Sequence, residues 1–293
     1  MKIAIFGQFY QHNSEIPVQH LLDHLSGKQV QIFIEQNFFK QIVQNKNIDN
    51  YSGFKTFSSL DSSYELLISI GGDGTILRAS TLVGDLGIPL VGINTGRLGF
   101  LATIQNNEIE SAIDAILTGN YKLSKRSLLS ITTTPENKDI MEQNFALNEI
   151  AISRRNTTSM ITVETKLNGE YLTSYWSDGL IISTPTGSTG YSLSCGGPVL
   201  TPETNSFILT PIAPHNLSAR PLVIEDSTEI QLRVSGREDQ YLVSLDSRIA
   251  TLNNDTIITI KKAPFNIKMV ELYHESFLDT LRKKLLWGED KRN

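Results

Sequence analysis

Four short apolar runs in the first hundred or so residues, each followed by a stretch of helical periodicity, constrain this chain more than any other feature. The runs are Ile3 to Phe6, then Val30, Ile32 and Ile34 at period 2, then Leu66 to Ile70, then Pro89 to Ile93. Continuous apolar runs of this length are typical of strands buried on both faces. The helical patterns between them centre on Val18, Leu21, Leu22 and Leu25, on Phe39, Ile42 and Val43, and on a segment beginning at Thr75. A fourth, Ile109, Ile113, Ile116 and Leu117, ends before Gly119. Strand and helix in alternation predict a parallel sheet with crossover helices, the α/β class.

From about residue 126 the pattern changes to short strands separated by turn residues, with period-2 stretches at Ile161 to Thr165, Glu229 to Val234 and Thr256 to Ile260. Leu167-Asn168-Gly169-Glu170 is a hairpin signal, because both central positions of a type I′ turn need positive φ. The second half therefore reads as antiparallel β. At the tail, Phe277, Leu278, Leu281, Leu285 and Leu286 share one face of a helix amphipathic enough to pack back on the body. A length of 293 residues, against a prior of roughly 150 per domain, predicts two domains.

Composition narrows the classes of partner. The formal charge of −5, with no block of Lys or Arg, argues against a nucleic-acid or anionic-membrane partner. No apolar run approaches the about 18 residues a spanning helix needs. One cysteine, Cys195, fits a reducing compartment. The opening MKIAIFGQFY enters a strand pattern at once and does not read as a signal peptide, so the expected location is the cytoplasm. An anionic ligand in so acidic a chain must be held by local backbone dipoles and a few cations.

Three glycine-bearing clusters can carry chemistry. Gly71-Gly72-Asp73-Gly74-Thr75 sits between the run Leu66 to Ile70 and a helix expected to be capped by Thr75. Glycines there let phosphate oxygens approach free N–H groups at a helix N-terminus. The aspartate is the odd member, since a carboxylate repels phosphate: it calls for a metal or for a proton to remove. Arg78, one turn on, could supply compensating charge. A tight strand-to-helix turn with a solvated Asp is the plainer alternative. The second cluster, Gly92 to Leu101, reads equally as a ligand loop or as a packing turn with Leu98, Phe100 and Leu101 buried. The third, Asp178 to Gly197, offers many neutral hydroxyl donors and acceptors and one aromatic face, suited to a ribose and a flat base or amide. It contains neither a Walker loop nor a nucleophile elbow, and a Ser/Thr-rich β turn would look similar. Leu147-Asn148-Glu149-Ile150 places a polar pair inside an apolar run, by strand alternation or by a strand end turned toward a ligand.

Other residues are discounted. His20 and His24 have metal-ligand spacing but lack a third ligand, and read as a solvated helix face. Cys195 has no His partner in sequence and reads as a small buried residue. His215, which follows Pro214 in a stretch that its prolines fix as a loop, is equally a core or a site residue.

Taken in order along the chain, these clusters resemble the NAD kinase family, on Gly71 to Thr75, Gly92 to Leu101, Asn148-Glu149, Asp178 to Gly197 and Thr210 to Asn216. The resemblance implies an N-terminal α/β domain over 1–122 with the terminal segment 271–293 returning to it, and a β-rich NAD-binding domain over 123–270. It implies NAD bound between the two, ATP as donor with Mg²⁺ or Mn²⁺ on the triphosphate, and a dimer or tetramer. By that likeness Asp73 is the base facing the 2′-hydroxyl of the adenosine ribose, with Gly72 and Gly74 as phosphate-loop backbone and Arg78 at a binding position. Asn148 and Glu149 contact the adenine nucleoside, and Asp178 lies near the nicotinamide end. Thr186, Thr189, Gly190, Tyr191, Ser192, Leu193 and Ser194 line both nucleosides, with Tyr191 stacking, and Ala213 contributes its backbone. No metal-ligand set within the protein is assigned. Gly190 stands where alanine is usual and Arg248 where a glutamine is common, so Arg248 is not given a role. A diacylglycerol-type lipid kinase sharing the GGDG loop, or a dinucleotide sensor without turnover, are the competing readings.

Overall fold

The computed structural model describes every residue except 10–14, 46, 50–52, 97, 157–158, 274 and 287–293. The chain divides into two compact units, Met1–Lys125 with Ile267–Asn293, and Arg126–Asn266. The first begins β1 (Lys2–Gly7), α1 (Glu15–Ser26), β2 (Gln31–Glu35), α2 (Gln36–Gln44), β3 (Lys55–Phe57), β4 (Leu66–Ile70), α3 (Asp73–Val83) and β5 (Leu90–Ile93). A 3₁₀ turn at Asn106–Glu108 leads into α4 (Ile109–Leu117), and β6 (Tyr121–Arg126) follows. All five residues of β4 are buried, as expected of a central parallel strand. The edge strand β3, three residues long with two exposed, has no pattern that periodicity could detect.

The second unit carries β7 (Leu129–Thr134), α5 (Lys138–Met141), β8 (Phe145–Ala146), β9 (Glu149–Arg154), β10 (Ile161–Leu167), β11 (Glu170–Ser177) and β12 (Gly179–Ser183). A 3₁₀ turn at Thr186–Thr189 precedes α6 (Tyr191–Ser194). Then come β13 (Ser206–Ile212), β14 (Leu222–Glu225), β15 (Ile230–Gly236), β16 (Gln240–Leu245), β17 (Arg248–Asn253) and β18 (Ile257–Lys262). Two six-stranded sheets result, in the orders β11-β10-β15-β18-β7-β8 and β14-β13-β12-β9-β16-β17. Their alternate residues, among them Val163, Leu232 and Ile260 from one and Ile152, Ile182, Phe207 and Val243 from the other, form one core. The hairpin between β10 and β11 turns at Asn168 (φ 49°) and Gly169 (φ 85°), the two positive values its sequence requires.

The chain then returns to the first unit as β19 (Ile267–Leu272) and α7 (Phe277–Leu285), completing a seven-stranded sheet in the order β3-β2-β1-β4-β5-β19-β6. The pairings β1 with β2 and β4, β4 with β5, and β5 with β19 are all parallel. The α7 face is narrower than its sequence suggests: Leu281 is buried, whereas Leu278 and Leu286 are exposed. Helix α3 begins at Asp73 with Gly72 as N-cap, not at Thr75. Thr75 lies inside the first turn, buried, its hydroxyl without a partner among the described residues, and a Cβ on Gly71, at φ 153°, would overlap it.

Candidate functional site

Candidate residues gather at the carboxyl ends of strands in the first unit and around the β8–β9 junction in the second. In the first, Gly71 donates its N–H to Ile93 O at 2.8 Å, which ties the end of β4 to the end of β5. Gly72 and Gly74 are exposed, and a Cβ on either would project into open space. No side chain caps α3; Thr75 N donates to Gly72 O at 2.9 Å, and the amides of Asp73 and Gly74 are left to face an anion. Arg78 is anchored by Gln8 Oε1 at 2.5 Å, just past the carboxyl end of β1.

Asp73, the first residue of α3, turns its carboxylate away from the helix and into the second glycine cluster. Three successive backbone N–H groups donate to it: Phe100 to Oδ2 at 2.8 Å, and Leu101 and Ala102 to Oδ1, each at 3.0 Å. Gly99 makes this approach possible, since a Cβ there would overlap the carboxylate. Gly92 is equally constrained, packed against Ile76 and the backbone of Ala102. Of the packing turn read from sequence, only Leu101 of the three large apolar residues Leu98, Phe100 and Leu101 is buried, and the cluster gives Asp73 a row of amides. Asn94 braces the loop, accepting from Gly96 N at 2.6 Å and donating to Ala102 O at 3.3 Å. Arg97 lies outside the described residues.

The second unit repeats the device. Asp246, 3% exposed at its side chain, accepts the N–H of Leu147 at 3.0 Å on Oδ2, and those of Asn148 at 2.8 Å and Glu149 at 3.1 Å on Oδ1. Thr184 Oγ1 donates to Leu147 O at 2.6 Å and accepts from Gly187 N at 3.1 Å, locking the 3₁₀ turn against the same segment. Held from both sides, Asn148 Oδ1 and Glu149 Oε2 are buried and have no hydrogen-bond partner among the described residues. Orphaned buried acceptors are costly in a finished core and are expected where a ligand supplies the missing partners.

Glu149 also receives a hydrogen bond from the backbone of Tyr191. Burial, then the neighbouring Asp246 charge, push its carboxyl up to about 8. Burial raises Asp246 too, but three amide donors and Arg248 favour its anion, so Glu149 is the partner that keeps the proton at neutral pH. Gly190 approaches closely: a Cβ would sit 3.1 Å from Glu149 Oε2.

The remaining candidates separate by environment. Tyr191 presents a half-exposed ring, Ser194 is exposed, and Thr189, Gly190 and Leu193 are partly buried. Thr186 is buried, its carbonyl taken by Thr189 Oγ1. Ser192 faces inward, its hydroxyl bonded to Thr210 Oγ1 at 2.8 Å. Asp178, between β11 and β12, pairs with Arg154 at 2.8 Å. Near it, at the end of β13, Ala213 takes φ 42°, a costly value for alanine and more so before Pro214.

Three sequence expectations change. Cys195 is partly exposed, not buried. His24 is not merely solvated, since its Nε2 lies 2.8 Å from Asp114 Oδ1. His215 belongs to no core: it is exposed, its ring 5.5 Å from that of Trp176. The residues that sequence reasoning missed are Asp246 and Arg154. Arg248, left without a role, binds the carbonyls of Gln143 and Phe145 and packs its guanidinium 5.5 Å from the Phe145 ring. Among the described residues no three His, Cys, Asp or Glu side chains gather as a metal cage.

The chain matches the family model for the ATP-NAD kinase N-terminal domain over residues 11–121 and that for the C-terminal domain over residues 147–272. The NAD kinase of Flavobacterium psychrophilum is 60% identical over 294 residues, covering 100% of both chains. Among solved structures, an NAD kinase from Archaeoglobus fulgidus in complex with ATP matches with a TM-score of 0.73 at 26% identity, over 97% of each chain. Yeast NADH kinase complexed with NADH matches with a TM-score of 0.84 at 22% identity, over 99% of this chain and 88% of that one, a likeness of fold.

Proposed function

The chain belongs to the NAD kinase family, and from that premise we propose how its own residues transfer a phosphoryl group from ATP to the 2′-hydroxyl of the adenosine ribose of NAD, giving NADP. The observation that carries the proposal is the amide-caged carboxylate of Asp73 beside the uncapped N-terminus of α3. A carboxylate has about four acceptor positions, and three are taken by amides, which leaves one on Oδ2 for a hydroxyl proton. Phosphoryl transfer passes through a loose transition state in which the attacking alcohol gives up its proton late, so placement of the acceptor matters more than early deprotonation. Gly72 and Gly74 leave room for phosphate oxygens against free amides, and Arg78 adds a cation on the same side of the sheet.

In the second unit, Asn148 and protonated Glu149 would bind the adenine nucleoside, donating and accepting where their buried atoms now lack partners. Tyr191 would stack on a base, and Thr186, Thr189, Gly190, Leu193 and Ser194 would line the nucleosides. Ser192 would act through its backbone, because its hydroxyl is bonded to Thr210. Asp178, oriented by Arg154, and the Ala213 backbone would face the nicotinamide end.

A divalent cation fits this chemistry as a passenger on the triphosphate: the open amides and the absence of a carboxylate cage among the described residues suit a metal whose ligands are mainly phosphate oxygens. Mg²⁺ or Mn²⁺ so bound would offset phosphate charge in the transition state. We place the enzyme in the cytoplasm as a dimer or tetramer, without nucleic-acid or membrane partners. The net charge of −5 and the single cysteine support that address, as does the lack, among the described residues, of a helix long and apolar enough to cross a membrane.

The deciding experiment incubates the purified chain with NAD, ATP and Mg²⁺ and follows NADP, with diacylglycerol as a competing acceptor. NADP formation that stops on chelation is the expected result. Binding of NAD without product under every metal and donor tried would overturn it.

A further inference from the structure

The amides that hold Asp73 are themselves held, and by a distant part of the chain. Phe100, whose N–H donates to Asp73 Oδ2, packs its ring against Phe277 of α7, with centroids 6.4 Å apart and planes tilted by 39°. Lys284, two turns along α7, places its ammonium 5.8 Å from the same ring. Just beyond the last donor, Ala102, Thr103 Oγ1 donates to Glu275 Oε2 at 3.1 Å, in the short segment joining β19 to α7. The row of donors is therefore gripped at both ends, at Phe100 and at Thr103, by residues 275–284. The helix itself is fixed: Ser276 caps it by accepting from Asp279 N at 3.1 Å, and Leu281 anchors it by burial.

We infer that α7 is a clamp on the catalytic carboxylate, with Phe277, Lys284 and Glu275 as positioning residues that aim Asp73 through the 99–103 loop. The physical case is one of rigidity. Among the described residues between β5 and α4, regular structure is limited to the bridge of Ile93 with Ile104 and the short 3₁₀ turn, and the donor segment 98–102 is otherwise held by the Asn94 brace and by a long Gly99 N to Ala102 O contact of 3.4 Å. Three hydrogen bonds to one carboxylate fix the carboxylate only as well as the donors are fixed. A displacement of about 1 Å in a positioned catalytic group can cost on the order of a hundredfold in rate. An aromatic contact at one end of the donor row and a side-chain hydrogen bond at the other add to the Asn94 brace in opposing that displacement.

The inference rests on Asp73 being the base, and its test separates the two. Turnover and Michaelis constants are measured for Phe277→Ala, Asp73→Asn and the double variant, with Phe277→Tyr as the conservative rescue. The clamp predicts a fall of about 10- to 100-fold in kcat for Phe277→Ala with the NAD Michaelis constant changed by less than about threefold. It further predicts near-normal turnover for Phe277→Tyr, and no further loss when Phe277→Ala is added to Asp73→Asn. Hydrogen exchange at the amides of Phe100, Leu101 and Ala102 should quicken in Phe277→Ala while β4 stays protected. Equal fractional losses in both backgrounds, or unchanged kcat and exchange, would overturn the clamp. Full turnover in Asp73→Asn would instead overturn the base assignment. Should Phe277→Ala not fold, Glu275→Ala against Glu275→Gln carries the same test, since only glutamine preserves an acceptor for Thr103.

Discussion

Asp246 and Glu149 bring two carboxyl groups into one buried corner, where the backbone N–H of Glu149 donates to Asp246 Oδ1 at 3.1 Å and the Glu149 Oε2 atom has no partner among the described residues. The charge stays with the residue that has three amide donors and Arg248 beside it, and the proton with the one that has a single backbone donor.

That proton has a measurable consequence. Folded, Glu149 holds it up to about 8, whereas its ordinary value is 4.5, so between these limits the folded state binds more protons than the unfolded one. Stability therefore falls as pH rises through this window, by at most about 5 kcal/mol from this group. Glu149→Gln, which mimics the protonated form, should flatten the fall in Tm between pH 6 and pH 9. It should also flatten a rise in the NAD Michaelis constant as pH passes about 8; a variant retaining the full slope would place the titration elsewhere.

Asp73→Asn keeps the shape of the carboxylate but presents an N–H₂ group to one or more of the three amides. NAD affinity should stay within a few-fold while kcat drops by about two orders of magnitude, the lower end of general-base contributions. Isothermal titration and steady-state kinetics on the same preparation check both halves.

Removing the second caged aspartate acts on folding as well as on binding. Asp246→Ala leaves the N–H groups of Leu147, Asn148 and Glu149 without their acceptor in a buried setting, a loss of about 3 kcal/mol or more. Denaturant unfolding should show it as a lowered midpoint, together with weakened NAD binding, since the same three residues carry Asn148 and Glu149.

Tyr241 offers the opposite case. It is fully buried in the β core and its hydroxyl has no partner among the described residues. Burial alone raises its ionisation well above the ordinary tyrosine range. Tyr241→Phe should then be neutral or stabilising by up to about 1 kcal/mol; a loss larger than that in the unfolding midpoint would mean the hydroxyl is engaged.

Tyr191→Ala should raise the Michaelis constant for NAD more than that for ATP, because its half-exposed ring lies beside the Glu149 corner. Equal effects on the two substrates would assign the ring to another role.

Local order determined much of this protein. Runs of buried β-formers such as Leu66 to Ile70, the Asn168-Gly169 turn and the apolar stripe of α4 state their structures through side-chain periodicity and backbone permissiveness, which are properties of neighbouring residues. The glycines around Asp73 and the hydroxyl-rich run 183–194 are legible in sequence for the same reason. What tertiary structure decided is where each aspartate points. Asp73 is aimed by amides 27 to 29 residues away, and Asp246 by amides 97 to 99 residues away. Every residue but proline carries such a donor, so no residue type announces it, and only the folded path of the backbone can bring three of them to one carboxylate.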